Sequence, residues 1–147
     1  FIALIAMVNG MLEAGGAWVG IEQLTLERVL GGLLQPLAWA LGISWDEAHL
    51  AGSLIGQKFI LNEFVAYVTY SEVAGQLSPH SQAIVIFALC GFANLSSIAI
   101  LLGGLGAVAP GRRDDISRYG FRALIAASLS NLMSAALAGF FLTLGAA

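Results

Sequence analysis

The chain has 147 residues, 59% of them hydrophobic and 10% charged, with a formal net charge of −3. Soluble domains carry about 25% charged residues, so this chain cannot clothe itself in polar groups and must present apolar side chains to lipid or to partner chains. The acidic balance excludes a basic face for nucleic acid, the single Cys90 excludes an internal disulfide or a cysteine zinc site, and no Walker loop, HExxH or GxSxG pattern occurs.

The first apolar run, Phe1 to Leu12, has Asn9 as its one strongly polar residue and reads as the end of a transmembrane helix within 1–20. A span needs about 20 apolar residues. The run opens without an initiator Met or a charged leader, so the rest of that helix is expected upstream, in a longer protein. In 24–42, Leu26, Val29, Leu30, Leu33, Leu34, Leu37, Ala38 and Leu41 recur at helical spacing, with Thr25 as the expected N-cap. Gly31, Gly32 and Pro36 interrupt it, and Arg28 stands near its start. This predicts an amphipathic helix along the membrane surface, with Trp39 and Trp45 at headgroup level.

The segment 45–76 holds two short apolar stretches around a polar centre: Gly56, Gln57, Lys58, Asn62 and Glu63. Neither half is long enough to cross, which predicts a re-entrant helical hairpin; such backbone is tolerated at membrane depth only under cover of protein or water. The next stretch, 79–109, is long enough to span and lacks charged side chains from Ser81 onward, yet carries Gly91-Phe92-Ala93-Asn94-Leu95-Ser96-Ser97 near its middle. Glycine, amide and paired hydroxyls there predict a discontinuous helix. A basic loop over 110–122 contains Arg112, Arg113, Arg118 and Arg122, four of the six Lys+Arg, and is placed in the cytoplasm by the positive-inside rule. The acidic residues Glu22, Glu27, Asp46, Glu47 and Glu72 then fall outside. A last transmembrane helix covers 123–147, where Ala126, Ser130, Ser134 and Ala138 form a small-residue stripe suited to close helix contact. The expected fold is an all-α polytopic membrane protein: transmembrane helices, a re-entrant helical hairpin and a discontinuous helix.

An ionisable group at membrane depth is a functional hypothesis by default, and Glu63 is that group. Two other roles stay open for it: a buried pair with Lys58 that holds the hairpin tip, or an interfacial position if the hairpin lies flat. Asn94 and Ser97 stand at the start of a half-helix, whose free N–H groups and positive end point into the break. Plain interhelical hydrogen bonding is the alternative for them, and packing is the alternative for Phe92. Asn62, Lys58 and Ser96 flank these residues and are candidates for supporting the site. A carboxylate, an amide and a hydroxyl beside an aromatic ring suit a neutral ligand with several hydroxyls and a flat ring.

The run Gly56-Gln57-Lys58-Phe59-Ile60-Leu61-Asn62-Glu63-Phe64-Val65-Ala66-Tyr67 resembles the signature G-x-K-x-x-x-N-E-F-V-A-(Y/F/M) of the concentrative nucleoside transporters. Ala88-Leu89-Cys90-Gly91-Phe92-Ala93-Asn94-Leu95-Ser96-Ser97-Ile98 is similar to their second C-terminal signature. The resemblance implies a homotrimer in which each protomer has a scaffold and a moving transport domain. It implies that Glu63, Asn94 and Ser97 contact the ribose of a nucleoside and that Phe92 lines the site. The family's first hairpin and coupling-ion site have no counterpart in these residues. A coupling cation, Na+ or H+, is therefore expected to bind outside this chain, and no cofactor is implied. The short tail resembles prokaryotic members and implies a multi-pass protein of a bacterial inner membrane. The function so implied is ion-coupled nucleoside import by alternating access. The alternatives are a transporter of another small polar solute with the same architecture, or a non-transporting membrane scaffold. Without a nucleophile–base pair or metal cluster, an enzyme is not expected.

Overall fold

The computed structural model describes residues 2–21 and 24–145. Phe1, Glu22 and Ala146–Ala147, which the sequence reading included, lie outside them. Seven α-helices follow in order: α1 (Ile2–Val19), α2 (Leu26–Ala40), α3 (Trp45–Ile60), α4 (Glu63–Val73), α5 (Pro79–Leu89), α6 (Leu95–Val108) and α7 (Arg113–Gly145). The described residues contain no strand, as the periodicity predicts.

α2 starts where Thr25 Oγ1 accepts the Arg28 N–H at 3.3 Å, an N-cap that satisfies one orphan donor. It runs through Pro36, although proline offers no N–H to the carbonyl one turn back. At 15 residues it is roughly 22 Å long, short of the ~30 Å hydrocarbon core. Asn9 of α1 reaches its first turn. The Asn9 Nδ2 group donates to both oxygens of Glu27 at 3.1 and 3.2 Å, and Asn9 Oδ1 accepts the Leu26 N–H at 2.8 Å.

α2 and α3 pack backbone to backbone. A Cβ at Gly52 would lie 2.9 Å from the Gly31 carbonyl oxygen, so only glycine permits this approach. Dispersion and apolar burial along the contact hold α2 against the hairpin. The core continues through α5 and α7, with Ala38, Leu54, Ile55, Val85, Leu89 and Ala135 buried. Ser78 caps α5 and also ties it back to α3: its N–H and Oγ donate to the two carboxylate oxygens of Glu47 at 2.7 and 3.0 Å.

Two details differ from the sequence reading. The basic segment 110–122 is not an irregular loop; a 3-10 turn at Pro110–Arg112 leads directly into α7, helical from Arg113. The backbone breaker is Pro110-Gly111, whereas the apolar run begins later. Asp114 and Asp115 in the first turn suit the positive end of the helix, and Arg112 Nε pairs with Asp115 Oδ2 at 2.6 Å. Of the stripe, Ala126, Ser130 and Ser134 are exposed and Ala138 is half-buried. Within the described residues α7 packs through Leu132, Ala135 and Gly139, where the Gly139 carbonyl accepts from His80 Nε2 at 3.1 Å.

Candidate functional site

Two interrupted elements meet. The first is α3–α4, broken at Leu61 and Asn62; the second is α5–α6, broken over residues 90–94. Each restarts on an asparagine in extended conformation. Asn62 Oδ1 accepts the Val65 N–H at 2.9 Å, and Asn94 Oδ1 accepts the Ser97 N–H at 2.9 Å. Asparagine suits both places because its side chain replaces the missing intrahelical acceptor.

The positive N-terminal ends of α4 and α6 thereby converge on Glu63, the first residue of α4. Asn94 Nδ2 donates to Glu63 Oε2 at 3.3 Å and to the Phe92 carbonyl at 3.2 Å. Asn94 Oδ1 also lies 2.6 Å from Ser96 Oγ and 3.0 Å from Ser97 Oγ. Asn94 is 4% exposed and fully occupied. Ser97 Oγ donates to the Phe92 carbonyl at 2.7 Å, and Ser96 Oγ reaches the Leu61 carbonyl at 3.3 Å. Ser96 thus joins the hairpin tip to the broken helix. The half-buried Glu63 keeps its other oxygen, Oε1, without a hydrogen bond among the described residues. That oxygen and the lone pairs of Ser97 remain to meet a donor.

A cleft of about 540 Å³ opens beside Asn94 and Ser97, walled by Phe92, Ile98 and, from α7, Leu124 and Ala127. Its size is that of a small-ligand site; Asn94, Ser97 and Phe92 line it, and Glu63 does not. Phe92 is 77% exposed and offers a ring face there.

Lys58 does not pair with Glu63. Its Nζ, on a side chain 0% exposed, donates to Asn131 Oδ1 at 2.8 Å and lies 4.9 Å from the Phe59 ring centroid. No salt bridge within 4 Å joins the two among the described residues; Lys58 takes an amide from α7 and Glu63 takes the capping amide of Asn94. Asn131 Nδ2 donates onward to the Phe87 carbonyl at 2.9 Å. The sequence reading did not single out Asn131. Its signal was a lone amide in the apolar run of α7, where polar side chains seek partners on neighbouring helices. Gln57 was likewise passed over as a partner; its Oε1 accepts from Thr69 Oγ1 at 2.9 Å across the hairpin. Among the described residues no group of three His, Cys, Asp or Glu side chains is placed to hold a metal.

A hairpin and a discontinuous helix whose capped ends enclose a polar centre define the class: an all-α polytopic membrane protein built like a secondary transporter. Residues 1–139 match the family described as Na+ dependent nucleoside transporter C-terminus. YutK of Bacillus subtilis, described as an uncharacterized transporter, is 52% identical over 142 residues, covering 97% of this chain and 35% of that protein. The nucleoside permease NupC of Helicobacter pylori is 47% identical, covering 99% of this chain and 36% of its own. Among solved structures, CNTnw in an inward-facing substrate-bound state is 56% identical with a TM-score of 0.89, covering 100% of this chain and 37% of that one. The chain belongs to this nucleoside transporter family, a family of transporters and not of enzymes. It spans about a third of the length of the relatives it matches.

Proposed function

We propose that this chain supplies the C-terminal part of a cation-coupled nucleoside importer that works by alternating access. The observation that carries the reading is the Glu63–Asn94 contact at 3.3 Å, with the other carboxylate oxygen making no hydrogen bond among the described residues. A carboxylate accepts only, so it selects a ligand that donates, and a ribose offers two adjacent hydroxyls. Ser97 lies one turn along from Asn94 and is placed to exchange hydrogen bonds with the same sugar. Phe92 provides an apolar face for the flat base. Helix ends aimed at the centre stabilise the carboxylate that does the binding.

Movement follows from the same connections. Ser96 and Asn94 tie α6 to the hairpin tip, so hairpin and broken helix travel as one body carrying the ligand. The coupling cation is Na+ or H+, and its site lies outside these residues. The names of the family and of NupC support a nucleoside substrate and an imposed cation dependence. A homotrimer in a bacterial inner membrane is the assembly and location this reading carries. Uptake of labelled uridine by liposomes holding the full-length protein, under an imposed Na+ or H+ gradient, tests it. Gradient-driven accumulation is expected. Failure with uridine and adenosine under either gradient, alongside counter-flow of another small polar solute, would replace the nucleoside with that solute.

A further inference from the structure

Lys58 is the largest fully buried side chain of the molecule's described residues, and the ligand chemistry above makes no use of it. Its ammonium donates to a neutral amide, Asn131, at 2.8 Å, with the Glu63 carboxylate in electrostatic reach but not in a salt bridge. A charge removed from water is costly unless it is well partnered, and replacing such a pair by apolar groups is often neutral. Its presence therefore calls for a role other than stability.

The geometry around Asn131 supplies one. α5 ends at Leu89, where helix carbonyls run out of intrahelical donors; the Phe87 carbonyl accepts the capping Cys90 N–H at 3.3 Å and has a lone pair to spare. Asn131 Nδ2 takes the Phe87 carbonyl at 2.9 Å, and Tyr67 OH, from the hairpin, takes the Ile86 carbonyl at 2.9 Å. Asn131 thus grips the hairpin through Lys58 and the broken helix through Phe87 with the two ends of one amide. Gly91 makes room for it: a Cβ there would stand 2.8 Å from Asn131 Oδ1. Lys58 precedes the hairpin break and Phe87 precedes the helix break. Glu63 and Asn94 are the residues on the far side of those same breaks, 3.3 Å apart.

We propose that Asn131 is a positioning residue for the ligand site: by holding Lys58 and the Phe87 carbonyl together, it sets the spacing of Glu63 and Asn94 without touching ligand. The proposal rests on the nucleoside reading of that pair. A shift of α7 would move both lips of the site at once, and sites loosened by about 1 Å lose function while still present.

The test uses the full-length protein with Asn131→Asp and with the double variant Lys58→Met/Asn131→Leu. Asp keeps an acceptor for Lys58 but cannot donate to the Phe87 carbonyl. The double variant removes the charge and its partner together, so the fold has no unpaired ammonium. Both variants are expected to fold, to bind uridine about tenfold more weakly by calorimetry, and to raise the KM of uptake with little change in Vmax. A readout free of ligand is hydrogen exchange at the Val65 and Ser97 amides, which the two asparagine caps hold; both amides are expected to exchange faster. A folded variant with wild-type affinity, or with wild-type exchange at those amides, overturns the proposal. If the unaltered protein binds no uridine, the nucleoside reading fails, and the exchange rates alone decide the role of Asn131.

Discussion

Asn62 and Asn94 carry the same local task, since each caps a helix that restarts after a break. They differ in what else they hold. The Asn94 amide also binds Glu63, whereas Asn62 Oδ1 serves Val65. Loss of an N-cap costs about 0.5–2 kcal/mol, so Asn62→Ala and Asn94→Ala should both lower Tm, Asn94→Ala by more because its buried amide holds further partners. Uridine affinity should separate them, with Asn94→Ala weaker than Asn62→Ala by about tenfold; calorimetry and thermal unfolding on the two variants check this. Equal affinities would leave Asn94 with a capping role alone. Glu63, Asn94 and Ser97 stood out in the sequence because a carboxylate and a Gly-Asn-Ser cluster have no ordinary place in apolar runs. The meeting of Glu63 with Asn94 was expected from the broken helix and the motif together. Lys58 shows the limit: spacing along one chain allowed a bond to Glu63, while its partner Asn131 arrives from a helix 73 positions away, a distance that periodicity does not encode.

At the scale of elements, the breaks in α3–α4 and α5–α6 were readable because polar and glycine residues interrupt apolar runs there. The start of α7 was not. Apolar content marks where a helix can meet lipid, while a helix begins at a breaker, here Pro110-Gly111, and continues through charged residues that solvent tolerates. The stripe of Ala126, Ser130, Ser134 and Ala138 says that close approach is possible and does not name the partner; within the described residues its first three members are exposed. Close approach is real between α2 and α3, where Gly52 meets the Gly31 carbonyl. Gly52→Leu should overpack this contact and cost about 1–3 kcal/mol. Gly103, in α6, has nothing within 4 Å of an added Cβ, so Gly103→Ala should raise helix stability by about 0.5–1 kcal/mol. Thermal unfolding of the purified variants reads both signs, and a tolerated Gly52→Leu would contradict the packing described.

For the molecule as a whole, we propose an orientation from Arg112, Arg113, Arg118 and Arg122 at the α6–α7 corner: by the positive-inside rule that corner is expected in the cytoplasm. Single cysteines at positions 112 and 113, in a Cys90→Ser background, should react with an impermeant thiol reagent only in permeabilised cells; labelling of intact cells would invert the topology. In that orientation the hairpin's open end and the start of α5, joined through Glu47 and Ser78, are expected outside. Between these two faces the breaks place one carboxylate, Glu63, whose proposed role is to bind ribose. Glu63→Gln tests it most directly. Gln keeps an oxygen to accept from Asn94 Nδ2, so the fold should survive and the size-exclusion profile should match the unaltered protein. What is lost is a charge-assisted acceptor, worth roughly twice a neutral one. Removing bonds of about 1.5–3 kcal/mol should weaken uridine binding by roughly ten- to a hundredfold, measured by calorimetry on the purified full-length protein. A folded Glu63→Gln variant that binds uridine with unchanged affinity would contradict the account.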